Sequence, residues 1–148
     1  MCGMSGRIDL SSEFEAALRR FADTSFDQLD QIDQILVTIW GIEAEVNNGG
    51  FDQYYFNGAG DQAFFAPDAL RAIGALRMSD IASRANAAFG RGGPPRGRNE
   101  RHDRLFEIAP RDAEAGPWDQ LDGEFQDYPD GIAALLIEFL RARRGGDA

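Results

Sequence analysis

The residues with chemistry to offer are mostly acids. Asp23, Asp27, Asp30 and Asp33 recur at intervals of four, three and three, a spacing that aligns side chains along one side of an α-helix, opposite Leu29, Ile32 and Leu36. Carboxylates on such a row step about 4.5–6 Å along the axis, loosely comparable with the roughly 3.4 Å between phosphates on one DNA strand. A second run, Asp119, Asp122, Glu124, Asp127 and Asp130, preceded by Asp112 and Glu114, supplies a second row if the fold lays it beside the first. Like charges at this density repel, so a shared face is easier to explain by a basic partner than by solubility. A solvated helix face is the plainer reading of either row alone.

Other chemistries are pruned by what is missing. All fifteen basic residues are arginine, which removes the lysine-dependent phosphate clamps and Schiff-base mechanisms. His102 and Cys2 are the sole residues of their types, so zinc sites built from paired His or Cys cannot be assembled and no internal disulfide can form. The acids from Asp122 to Asp130 do not follow the spacing of a calcium-binding EF-hand. Paired carboxylates occur at every spacing among 25 acids and give no specific support to a hydrolase. His102 reads as an exposed helix residue, and no metal, cofactor or catalytic residue is expected.

The formal charge is −10, unevenly spread. Residues 1–70 carry twelve acids and three arginines, 71–111 four acids and nine arginines, and 112–148 nine acids and three arginines. The overall sign opposes binding to nucleic acid or anionic lipid and favours a basic protein. The arginines from Arg91 to Arg111 are expected to pair with the chain's own carboxylates or with those of a second copy, the latter giving a homodimer.

These residues are positioned by helices. Ser12 with Glu15 has capping-box spacing, and Phe14, Ala17, Leu18 and Phe21 make an apolar stripe that ends at Asp23-Thr24-Ser25. A second and longest helix, of about twenty residues, is predicted from near Ser25 to Val46, with Phe26, Leu29, Ile32, Leu36, Ile39 and Trp40 inward. Asn47-Asn48-Gly49-Gly50 closes it, because Asn and Gly tolerate the left-handed conformation. Phe51, Tyr54 and Tyr55 then pack from a short helix, followed by another turn at Asp61–Phe65. Pro67 opens a stretch through Arg77 with Leu70, Ile73 and Leu76 inward, and Ser79 caps a helix to Phe89. Residues 90–98 form a loop rich in Gly, Pro and Arg. Asn99 caps a helix to Ile108 with Leu105, Phe106 and Ile108 inward and Arg101 and Arg104 outward. Pro117 opens a short helix and Pro129 the last one. The chain is expected to be all-α, one compact domain of seven or eight helices over residues 12–142, with flexible ends at 1–11 and 143–148. No stretch reaches the ~20 apolar residues of a bilayer span. Its start lacks a basic segment followed by an apolar one, so a cytoplasmic location is expected.

The stretch from Glu45 through Asn47-Asn48-Gly49-Gly50-Phe51-Asp52-Gln53-Tyr54-Tyr55-Phe56-Asn57 resembles the signature of the DNA mimic protein 19-like family. Trp118-Asp119-Gln120-Leu121-Asp122-Gly123-Glu124-Phe125 is similar to that family's second block, and the resemblance spans about residues 20–142. It implies a bacterial helical protein whose acidic surface occupies the DNA-binding face of a transcription regulator, and which catalyses nothing. Two readings of the motif stand: Asn47 to Gly50 as a turn with Phe51, Tyr54 and Tyr55 as core, or Asn47, Asn48, Gln53 and Asn57 as the lining of a polar pocket. For the whole chain, the alternative is a regulatory or immunity-type interaction module with an apolar contact surface. An enzyme would need Asn47, Asn48, Asp52 and Gln53 gathered in one pocket.

Overall fold

Asp9 starts the first helix. Its carboxylate accepts the Ser11 amide at 3.1 Å and the Ser12 hydroxyl at 3.0 Å, so α1 (Leu10–Ala22) begins two residues before the predicted Ser12 cap, which becomes a donor to the true one. The computed structural model describes residues 7–145. Among them are seven α-helices and no strand, the all-α architecture expected. After α1 come α2 (Gln31–Phe56), α3 (Ala66–Ala72), α4 (Leu76–Ala87), α5 (Arg98–Ile108), α6 (Asp119–Gln126) and α7 (Ile132–Gly145), with 3-10 turns at Phe26–Gln28 and Gly58–Phe65. Of the predicted flexible ends, 1–6 and 146–148 lie outside the described residues, whereas Leu10, Ser11, Arg143 and Arg144 are helical.

The long helix α2 is the axis of the molecule, packing against α1, α3, α5, α6 and the second 3-10 turn. Leu36, Ile39 and Val46 are fully buried, as their spacing predicts, and so are Ile35 and Ile42, which lie off the predicted stripe. On the predicted stripe Trp40 is exposed and Ile32 only partly buried. The helix starts at Gln31 rather than near Ser25, because Phe26 and Leu29 are both drawn into the core by the intervening 3-10 turn. At its other end the helix kinks instead of stopping. Gly49 and Gly50 leave helical geometry, Gly50 at φ +80° and ψ −178°, a region essentially reserved for glycine, and a second helical segment begins immediately.

That kink turns Phe51, Tyr54 and Tyr55 into an aromatic cluster with Phe89, Trp118 and Phe125, all buried. The Tyr55 ring lies 4.8 Å from Phe89 and 4.9 Å from Trp118, and Phe51 meets Phe125 edge-on at 5.7 Å. The polar tips are satisfied where they reach a partner: the Tyr55 hydroxyl donates to Asn86 Oδ1 at 2.6 Å and the Trp118 indole to the Ala85 carbonyl at 2.9 Å.

The predicted helix from Pro67 to Arg77 is two helices. Gly74, at φ +88°, interrupts it, and the change of phase leaves Leu76 61% exposed instead of inward. Ser79 lies inside α4, buried, donating to the Pro67 carbonyl at 2.7 Å. Phe106 is likewise turned out while Arg101, expected outside, is completely buried. All five Arg101 N–H groups are used: Nε to the Tyr55 carbonyl at 2.7 Å, Nη1 to those of Pro95 and Arg96, and Nη2 to Asn57 O and to Asp61 Oδ1 at 2.9 Å. One guanidinium thereby ties the end of α2, the second 3-10 turn and the Gly/Pro/Arg loop to α5. No helix among the described residues is long and apolar enough to cross a membrane.

Candidate functional site

The first acid row does not form. Asp23 ends α1, Asp27 sits in a 3-10 turn, Asp30 is the N-cap of α2 and only Asp33 is inside that helix. Asp30 Oδ1 accepts the Asp33 amide at 2.8 Å. The Asp33 carboxylate is buried against Arg20, which donates from Nε at 2.5 Å and Nη2 at 2.8 Å. Asp27 pairs with Arg96 at 3.1 Å. Helical spacing suggested a common face; the break between Ala22 and Gln31 removes the helix that would have carried it.

The second run divides between structural and free carboxylates. Asp122 Oδ1 accepts the Phe51 amide at 2.8 Å, capping the helical segment beyond the kink. Asp130 Oδ2 accepts the Met78 amide at 2.8 Å in the first turn of α4. Neither partner is near in sequence. Glu124 pairs with Arg84 at 2.9 Å, which holds its carboxyl below the ordinary range. Asp119 accepts the Gly116 amide at 3.0 Å and is exposed, as is Asp127.

What the fold does gather is a cleft of about 220 Å³ where the connector 109–118 passes α2 and α6. Asp52, Glu114, Asp119 and Asp122 line it, with Arg111 and Trp118. Burial raises the Asp122 carboxyl, the Phe51 amide counters that, and the charges of Asp119 and Asp52 raise it further. The second acidic run of the sequence contains Glu114, Asp119 and Asp122 but not Asp52, which arrives from the kinked helix. Among the described residues no group of three or more His, Cys, Asp or Glu is arranged to hold a metal ion.

The motif residues serve this geometry. Asn47 donates to the Tyr128 hydroxyl at 2.6 Å, which in turn donates to Glu43 at 2.9 Å. Gln53 and Asn57 both donate to Glu45 Oε1, at 2.7 and 2.9 Å, spanning the kink. Asn47 and Asn48 are exposed, whereas Asp52 and Gln53 border a separate cavity of about 480 Å³ with Gly49, Phe56, Phe106 and Arg111. The four polar groups an enzyme would need are therefore not gathered in that cavity.

The arginine-rich segment is largely neutralised within the chain. Arg96 pairs with Asp27, Arg101 with Asp61, Arg104 with Glu107 and Arg111 with Asp52. Asp23, Asp112, Glu114 and Asp127 remain exposed with no guanidinium partner among the described residues.

A protein-family model described as DMP19-like protein matches residues 27–143, a span that contains both sequence blocks and the cleft. No curated protein and no solved structure matches the chain.

Proposed function

The chain belongs to the DMP19-like protein family, and from that membership we propose that it is a non-enzymatic, cytoplasmic acidic protein that binds a basic DNA-binding protein and competes with DNA for it. The family is not a known enzyme family. The observation that carries the reading is the asymmetry of pairing. Arg96, Arg101, Arg104 and Arg111 are engaged by the chain's own acids, while Asp23, Asp112, Glu114 and Asp127 are left free on a molecule of net charge −10. A basic partner is steered by that field and held by charge-assisted pairs. Of the residues singled out by spacing, Asp23, Asp119 and Asp127 keep accessible carboxylates for this role, and Asp33, Asp122 and Asp130 support the fold.

The test is affinity capture from the native host, followed by competition with DNA and a salt titration. Capture should weaken as salt rises, be displaced by DNA, and be lost in a triple variant Asp112→Arg, Glu114→Arg, Asp127→Arg, none of which makes a structural bond. Retained capture by that variant overturns the surface.

A regulatory module with apolar contacts is the second reading, favoured by Leu76. It stands exposed in an open groove of about 570 Å³ beside Pro129, with the charged side chains of Arg77, Asp80, Arg84, Glu124 and Asp127 also lining the groove. Capture indifferent to salt would select it.

A further inference from the structure

Arg111 returns from the connector to lie over two exposed rings. Its Cζ is 5.0 Å from the centroids of both Phe56 and Phe106, and its Nη1 donates to Asp52 Oδ2 at 2.8 Å. The platform does not depend on the arginine. Phe56 stacks on His102 at 4.4 Å with an interplanar angle of 8°, and His102 Nε2 is 2.6 Å from the Phe56 carbonyl. The rings sit on α2 and α5, whereas residues 110–117 of the connector are all exposed. The other Asp52 oxygen, Oδ1, is buried with no hydrogen-bond partner, and the adjoining cavity of about 480 Å³ leaves room for a second side chain.

We propose that Phe56, Phe106 and Asp52 form a slot for an arginine of the partner protein, which Arg111 occupies as an internal ligand in the free protein. The proposal rests on the reading above and specifies its partner's chemistry. Two aromatic faces plus one carboxylate select a planar, delocalised guanidinium over an ammonium. The rim agrees in charge: Glu114 and Asp119 border the neighbouring cleft, which shares Asp52 and Arg111 with this cavity. Exchange replaces one arginine by another, so the incoming guanidinium remakes the ring stacking and the ion pair that Arg111 gives up. Self-occupancy lowers the apparent affinity by the fraction of molecules with the slot open.

The full chain is titrated with nona-arginine and nona-lysine at matched ionic strength. The wild type should prefer nona-arginine. Arg111→Gln should raise nona-arginine affinity by about five- to tenfold and nona-lysine affinity much less. Phe106→Ala should bring the two peptides together in affinity. A direct readout is the Arg111 Nε–H resonance, which should move to its solvent-exposed position as nona-arginine, but not nona-lysine, saturates the protein. An Arg111→Gln variant that binds both peptides tighter by the same factor reflects only the lost charge and overturns the slot, as does unchanged nona-arginine binding. A wild type that binds neither peptide at low salt defeats the parent reading as well, and binding of both without preference defeats the slot alone.

Discussion

The carboxylate of Asp122 occupies the space that a side chain on Gly50 would fill. A Cβ there would lie 2.5 Å from Asp122 Oδ2, while Asp122 Oδ1 accepts the Phe51 amide at 2.8 Å. The missing side chain and the tertiary cap are one device: the glycine admits the carboxylate that ends the kink. Gly50→Ala should cost about 2–4 kcal/mol, combining strain at φ +80° with loss of the cap. Asp122→Ala alone should cost about 1–2 kcal/mol. The double variant should be more stable than the sum of the two predicts, because the clash is gone once the carboxylate is. Urea denaturation of the three variants measures this, and strict additivity would separate the two residues.

Arg101 makes a sharper demand on its chemistry. Its five donors are matched to five acceptor contacts, with the guanidinium itself fully buried and the Asp61 carboxylate at the edge of the site, and no other side chain presents that fork. Arg101→Met should destabilise by about 3–5 kcal/mol, because four carbonyls and the Asp61 carboxylate lose their partner. Arg101→Lys should recover only a minor part, since an ammonium offers three N–H donors to the five acceptor contacts. A lysine variant as stable as the wild type in guanidinium chloride would mean that charge alone matters there.

The helical class was legible because an apolar repeat of three or four is a local property, and Leu36, Ile39 and Val46 bear the stripe out. Phe51, Tyr54 and Tyr55 were legible as core for the same reason. That α2 is buried almost all round from Ile35 to Ile39 was not legible, because it depends on the elements packed about it. Arg101 was not, because the carbonyls that receive it, Tyr55 O and Asn57 O, become available only where α2 ends 44 residues or more upstream. Leu76 was misplaced by a single left-handed glycine that resets helical phase. The candidate site suffered most: the spacing of Asp122 and Asp130 looks like a surface row, yet their amide partners lie 71 and 52 residues away. Spacing cannot distinguish a carboxylate facing solvent from one capping a distant helix.

The pH response follows from the raised Asp122 carboxyl. Its folded pKa exceeds its unfolded value, chiefly through burial, so the folded state holds the extra proton between the two values. This group therefore stabilises most below the unfolded pKa, about 3.9, and that contribution is lost as pH rises through the folded value. Glu43, raised by burial and countered by the Tyr128 hydroxyl, acts in the same direction. Asp122→Asn removes the titration, so its stability deficit relative to wild type should shrink as pH rises across that window. Asp119→Asn should lower the Asp122 pKa by removing a neighbouring charge. Carboxyl-carbon NMR titration checks the second point and melting curves at stepped pH the first; a deficit that grows with pH reverses the assigned sign.

The acids singled out by their spacing should separate cleanly in stability. Asp33 is 5% exposed and takes two donors from Arg20, itself half exposed. Asp33→Asn should cost about 1–3 kcal/mol, because burial was tolerable only for a paired carboxylate. Asp127→Asn touches nothing in the fold and should stay within about 0.5 kcal/mol of wild type. Binding should run the opposite way: Asp127→Asn weakens partner capture at low salt and matters little at high salt, where the exposed charge is screened. Asp33→Asn, measured at a temperature where it remains folded, should capture the partner as the wild type does. Urea midpoints and capture at two salt concentrations give both halves of the comparison. An Asp33→Asn protein with wild-type stability and lost binding would restore the acid row as a surface and move the binding site to α1 and the start of α2.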